Sequence, residues 1–259
     1  MVELMNSPGT AALAVLGGVL AGVINTMAGS GSLVTLPILV ALGLPTPIAN
    51  ATNRVGIVFQ SAVSVGTLHR AGELRWTGSP WFVAPAVLGS LVGAALATQV
   101  NARTLDAVVL VVMVVMLGLI LYNPKRWLRD DLVFEPGYPG LKLLALFFGI
   151  GVYGGFLQAG VGVMLLVALV LGAGYPLREA NGVKLITALA FTIPAIALFA
   201  WQGMVVWSFG LLMAVGQSLG AWIAATFLAR YEHAALWVRR VMITVVVIAI
   251  ARFVLRVFV

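Results

Sequence analysis

Cysteine is absent from the 259 residues, which excludes disulfides, thiolate metal sites, cysteine nucleophiles and iron–sulfur clusters and leaves the redox compartment unreadable. Charge is nearly as scarce. Charged residues make up 9% of the chain, against about 25% in an ordinary soluble domain, too few to coat a globule of this size in water. The acidic residues, Glu3, Glu73, Asp106, Asp130, Asp131, Glu135, Glu179 and Glu232, fall at the ends of apolar runs or between them. A proton relay or cation site built on buried carboxylates therefore has no candidate. Histidine occurs twice, at His69 and His233, near segment ends and without an HExxH motif, so neither a metal site nor a catalytic base at depth is indicated. No metal, no cofactor and no enzymatic activity are expected.

What is present is apolar. Hydrophobic residues make up 62% of the chain and the mean hydropathy is +1.10, in blocks rather than amphipathic stripes, the pattern of an integral membrane protein. At about 20 residues per crossing the length leaves room for roughly eight to ten segments and no separate soluble domain. The formal net charge of +7 would suit a nucleic-acid partner, but Lys and Arg lie between the apolar runs, where they set orientation instead. No nucleic-acid partner is expected; the lipid bilayer is. Met1 to Gly9 holds Glu3 and no Lys or Arg, so it lacks the basic start of a cleaved signal peptide, and the first apolar run is expected to be retained.

Gly, Pro, Asn and charge punctuate the first half into segments at about 10–27, 31–44, 54–69, 81–99 and 105–122, and the second at about 141–158, 162–175, 183–201, 205–227 and 237–257. This gives a first transmembrane repeat over 1–122, a polar linker over 123–140 and a second repeat over 141–259. The halves share residues as well as layout. A shift of 131 places Gly18, Ala28, Gly29, Gly31, Gly43, Pro45, Ala49 and Asn50 on Gly149, Ala159, Gly160, Gly162, Gly174, Pro176, Ala180 and Asn181 without a gap. After a four-residue shortening, Gly89 and Gly93 meet Gly216 and Gly220. An internal duplication accounts for this.

Charge indicates how the copies are related, because cytoplasmic loops collect Lys and Arg. If the first two segments of each half together cross an even number of times, the halves are inverted and one face receives 11 of the 15 Lys and Arg residues; parallel halves would divide them 8 to 7. The expected fold is therefore an all-α polytopic membrane protein of two inverted repeats, each a re-entrant or broken helix pair plus three transmembrane helices. Both termini lie outside and the linker is cytoplasmic. Parity alone does not separate a re-entrant hairpin from two full crossings.

The second segment of each half is short, and each follows a glycine break: Ala28-Gly29-Ser30-Gly31-Ser32 and Ala159-Gly160-Val161-Gly162-Val163. Matched interrupted segments in two halves are a sequence pointer to a transporter's binding site. Glycines free the backbone there, successive amides converge on an anion, and the following helix presents its positive end. Ser30 and Ser32 add hydroxyls that the second break lacks. The alternative is that the glycines serve close helix packing, as expected for the four-residue spacings Gly18/Gly22, Gly89/Gly93, Gly151/Gly155 and Gly216/Gly220. Asn50, Asn53 and Arg54, with Asn181 and Lys184, bring polarity into the start of the third segments. They face either a partner or cavity, or snorkel to head groups. Gln60, Ser61, Ser64, Thr187 and Thr192 line a path or bond helix carbonyls.

The run from Ala21 to Ser61, followed by GELRW at 72–76, resembles the first-repeat signature of the TauE/SafE sulfite-exporter family. GVYGGFLQAGVG at 151–162, Lys184 and GMVVW at 203–207 resemble its second repeat. The resemblance implies a permease of the cell inner membrane that moves small sulfur-containing anions such as sulfite or organosulfonates, commonly by export. It places the glycine loops at Gly29 to Ser32 and at Gly160 and Gly162, the Asn-Arg pair at Asn53 and Arg54, and the lysine at Lys184. Asn25 and Gly154 stand where many relatives carry acids, a departure that weakens the case for carboxylate-based coupling and leaves the substrate's identity open. With Asn25 and Gln158 beside the breaks, the candidate substrate-binding set is Asn25, Gly29, Ser30, Gly31, Ser32, Asn50, Asn53, Arg54, Gln158, Gly160, Gly162, Asn181 and Lys184. The expected function is secondary transport of a small anion; a passive anion channel of the same architecture is the main alternative, and an intramembrane enzyme or a non-transporting assembly factor fits less well. Whether a second copy of the chain pairs with the first stays open.

Overall fold

The computed structural model describes residues 8–74, 79–122, 138–226 and 234–258. These residues form ten helices and, among them, no strand: α1 Pro8–Ala28, α2 Ser32–Ala41, α3 Thr46–Arg70, α4 Ser79–Ala97, α5 Ala102–Tyr122, α6 Leu141–Phe156, α7 Val161–Val167 continued by a π-turn over Ala168–Gly172, α8 Leu177–Trp201, α9 Trp207–Thr226 and α10 Ala234–Phe258. Five of them, within α1, α4, α5, α8 and α9, are long and apolar enough to cross a membrane. The linker residues 123–137, the loop residues 75–78 and the residues 227–233 lie outside the described set, and with them part of the GELRW motif and the basic residues Arg75, Lys125, Arg126, Arg129 and Arg230.

The apolar runs and the helices coincide within a few residues except at two places. α3 and α8 begin at Thr46 and Leu177, well before the apolar stretches at 54 and 183. A proline starts each, at Pro45 and Pro176, where fixed φ suits the entry to a helix. The polar residues that follow are helical because they face inward: Asn50, Asn53 and Arg54 are buried, as is Lys184.

Helix approach is governed by the small residues. α1 packs on α9, and α6 on α4. A Cβ at Gly22 would lie 2.2 Å from the Gln217 carbonyl oxygen, and one at Gly93 would lie 1.9 Å from that of Val152, so these backbones touch as the four-residue spacing predicts. α3 then packs on α9 and α8 on α4, while α3 crosses α8 and α5 lies along α10. α5 and α10 run antiparallel: the Arg256 guanidinium meets the Asp106 carboxylate at 3.2 Å, and Arg239 donates to the Ile120 and Leu121 carbonyls at the other end. The outer surface is apolar, with Leu88, Val111, Val215 and Ile248 all more than half exposed.

Each short helix folds back along its predecessor. A Cβ at Gly17 would touch Ile38, and one at Gly31 would lie 2.5 Å from the Ala21 oxygen, so α2 returns antiparallel to α1. Gly154 beside Val161 and Gly172 beside Leu143 show the same for α7 on α6. At about 1.5 Å per residue, α2 is only about 15 Å long, half of the roughly 30 Å hydrocarbon core.

Candidate functional site

The two breaks meet. A Cβ placed on Gly29 would lie 2.6 Å from the Gly162 carbonyl carbon, and one on Gly162 would lie 2.3 Å from the Gly29 oxygen. Both chains take a left-handed turn to get there, at Gly29 (φ 73°) and Gly160 (φ 79°), which glycine adopts without a steric cost. Side chains pin each turn: Asn25 Oδ1 accepts from the Gly31 amide at 3.2 Å, and the Tyr153 hydroxyl donates to the Ala159 carbonyl at 2.6 Å.

Around this contact lies a cavity of about 10 Å³, near the lower limit for a single water. Asn25, Gly29, Ser32, Gln158, Gly162 and Lys184 line it, closed by Ile57, Val161, Leu185 and Ala188. Ser32 and Gly162 belong to the first turns of α2 and α7, where the neighbouring amides of Leu33, Val34, Val161 and Val163 donate to the Ser30, Gly31, Gln158 and Gly160 carbonyls of the breaks. The Ser32 hydroxyl accepts from Asn53 Nδ2 at 3.1 Å and so keeps its own proton to donate. The Thr35 hydroxyl donates to Asn53 Oδ1, which fixes the amide's orientation.

The remaining candidates surround the cavity without lining it. Ser30 turns its hydroxyl back to the Ala28 carbonyl, Gly31 packs on α1, and Gly160 packs against Met116. Asn50 donates to the Phe156 carbonyl at 2.8 Å. Arg54 and Lys184 do not reach head groups. Each is buried, and each caps the C-terminal end of the other half's first helix, Arg54 on Gly154 and Gly155, Lys184 on Asn25 and Thr26. Carbonyls at a helix C-terminus carry partial negative charge, so dipoles rather than carboxylates hold both cations.

A vestibule of about 580 Å³ opens to one face, the near face below. Its walls come from the end of α3 (Thr67, Leu68), the start of α8 (Leu177, Arg178, Asn181), the end of α9 (Ala224, Ala225) and Thr26 of α1. Only a thin wall separates it from the cavity. Lys184 lines the cavity and donates at 2.6 Å to Asn181, which lines the vestibule; beside it the Thr26 and Ser64 hydroxyls bond at 3.2 Å. Thr26 and Thr35 were not singled out from sequence. Thr35 carried a signal, lying one helical turn after Ser32 in an otherwise apolar run.

Two broken helices meeting among buried polar groups, with a vestibule leading toward them from one face, define a membrane transporter. The chain belongs to the TauE/SafE family: residues 14–253 match the family described as "Sulfite exporter TauE/SafE". It is 33% identical over 206 residues to "Probable membrane transporter protein YfcA" of Escherichia coli K12, covering 78% of this chain and 74% of that one. A "Probable membrane transporter protein" of Haemophilus influenzae is 30% identical over 212 residues, covering 80% and 81%. "Probable membrane transporter protein ORF9" of Sinorhizobium sp is 26% identical over 208 residues, covering 80% and 79%. No solved structure matches the chain at a significant level.

Proposed function

We propose that this transporter is a secondary carrier of inverted-repeat architecture that holds a small sulfur-containing anion, such as sulfite or an organosulfonate, between its two helix breaks and exports it across the cell inner membrane. One observation carries the reading. Ser32 and Gly162, at the starts of the two broken helices, line one cavity together with the Lys184 ammonium, while the sole buried carboxylate among the described residues, Asp106, is taken up by Thr46 and Arg256. Donors and positive charge without a nearby acid select an anion.

The antiparallel run of α5 against α10, and the return of α2 and α7 along their predecessors, support repeats over 1–122 and 141–259 related by inversion about the linker 123–140. Reciprocal packing of α1 on α9 and α6 on α4 has the same origin. Arg70, Lys142, Arg178, Arg239 and Arg240 lie at the near-face helix ends, so the near face is cytoplasmic and the termini lie outside. The vestibule then admits solute from the cytoplasm, as export requires. The cavity must widen to hold the anion, and rocking of the halves about it supplies that motion.

Counterflow tests the reading. Vesicles loaded with unlabelled sulfite and containing the protein should accumulate labelled sulfite transiently; flux without exchange identifies a channel and overturns the carrier. Tyr138→Cys and Gly203→Cys should differ in labelling by an impermeant periplasmic reagent, and equal labelling overturns the inversion.

A further inference from the structure

Arg54 is fully buried yet lies outside the cavity. Its Nη1 donates to the Gly154 carbonyl at 2.9 Å and to Gln158 Oε1 at 2.8 Å, its Nη2 donates to the Gly155 carbonyl at 2.6 Å, and the guanidinium lies 4.9 Å from the centre of the Phe199 ring. One side chain of α3 thus ties down the end of α6 and stacks on α8, on the side away from the vestibule. Gln158 is shared between latch and cavity: it lines the cavity, accepts from Arg54 and donates to Thr192 at 2.8 Å. Arg54 Nε is buried with no acceptor, a donor left over in an otherwise matched cluster.

The walls around this cluster match those of the vestibule. By the sequence correspondence of the halves, Ala224, Leu68, Leu177 and Asn181 pair with Ala97, Phe199, Thr46 and Asn50. The first four line the open vestibule; the second four are all buried. The far face therefore carries the walls of a second vestibule, packed shut around Arg54.

We propose that Arg54 is a positioning residue that latches the far face closed, and that Gln158 transmits arrival of an anion in the cavity to that latch. The proposal rests on the anion-carrier reading above. An anion at the cavity draws on the Gln158 amide, and so loosens a tie that must be broken for α3, α6 and α8 to part. The ligand required is the same small oxyanion.

The cysteine-free chain makes the test direct. Ala97→Cys reports the far face and Ala225→Cys the vestibule. Without any anion, Arg54→Gln should raise the maleimide labelling rate of Ala97→Cys about tenfold and lower that of Ala225→Cys, a population shift toward the far-open form. Gln158→Ala, which leaves the helix-carbonyl bonds of Arg54 in place, should move both rates the same way by about twofold and serves if Arg54→Gln fails to fold. A merely structural Arg54 lowers the melting temperature without moving the two rates in opposite directions, and unchanged rates in a folded variant overturn the latch. Sulfite-induced thermal stabilisation should persist in Arg54→Gln; its loss there to the extent seen in Lys184→Ala makes Arg54 a ligand and also overturns the proposal. No sulfite effect on the wild-type protein counts against the carrier reading alone, because the labelling comparison uses no anion.

Discussion

The near and far faces are built from matching parts, yet one holds a 580 Å³ vestibule, while on the other the matched residues Thr46, Asn50, Ala97 and Phe199 are buried. Each face has one buried cation at the C-terminal end of a partner helix, and the two cations differ. Lys184 is a compact ammonium that touches the Asn25 and Thr26 carbonyls at 3.2 and 3.4 Å and holds a short bond only to Asn181. Arg54 is a planar fork whose three bonds run from 2.6 to 2.9 Å and whose face lies over an aromatic ring. A fork loses little freedom on binding two carbonyls and an amide at once, whereas an ammonium on a flexible stem can turn to a new partner. The difference divides the labour: the lysine lines the cavity and can exchange carbonyls for an anion, and the arginine lies outside it, tied to the end of α6.

The largest expected effect removes the lysine. Lys184→Ala should weaken sulfite affinity by about 10- to 100-fold, the value of a charge-assisted hydrogen bond, while the protein still purifies as a folded species. Sulfite-dependent thermal shift and counterflow measure it. Retained affinity would mean that the two cations do not differ in role, and the comparison would break.

Next comes the contact between the breaks. Gly162→Ala would drive a methyl group into the Gly29 carbonyl, and Gly31→Ala would drive one into the Ala21 carbonyl; each overpacking should cost about 1–3 kcal/mol, read as a fall in melting temperature. The two variants should part in function. Gly162 lines the cavity and Gly31 does not, so counterflow should fall with Gly162→Ala beyond what lost protein explains, and with Gly31→Ala only in proportion to it. Equal losses would spread the site over both glycines.

That distinction marks where sequence reasoning stopped. Glycine punctuation located both breaks to within a few residues, because a left-handed turn and a backbone contact leave glycine as the residue that fits. Hydropathy located ten segments for the same reason that the outer surface is apolar. It misplaced the starts of α3 and α8, since a run of Asn, Thr and Arg reads as loop unless its burial is known. The polarity of Asn53 and Arg54 was legible, but not its direction. Asn53 turns to Ser32 and Thr35, Arg54 to α6, and neither lines the cavity, a result that depends on how α2 and α6 dock and has no local signature. The asymmetry of the two faces was equally hidden, because residues at matching positions of the two halves carry no local mark of which face is open.

A smaller effect is expected where α5 and α10 join. Asp106→Asn keeps an oxygen for Thr46 and loses the charge facing Arg256, whose side chain is 38% exposed. A half-solvated pair is worth about 1 kcal/mol, so the melting temperature should fall slightly, while the labelling rates of Ala97→Cys and Ala225→Cys stay as they were. A change in those rates would extend the latch beyond Arg54.

The smallest effect sharpens the comparison most cheaply. The near-face vestibule has its own tie across its rim, where Arg178 Nη2 meets Glu73 Oε1 at 2.7 Å. It joins the chain just after α3 to the first turn of α8. Matched positions on the far face are Met204 and Pro47, which allow no such pair. The short distance suggests a strong bond, but the side chains are 73% and 35% exposed, and water competes for both ions. Exposed pairs contribute less than about 1 kcal/mol and are screened by salt. Glu73→Ala should therefore leave the melting temperature and counterflow within about twofold of wild type, and raising salt should not change the Ala225→Cys labelling rate. If the rim pair instead governed that rate, the near face would have a gate of its own as strong as the buried arginine opposite, and the faces would differ in the depth of their latches rather than in having one.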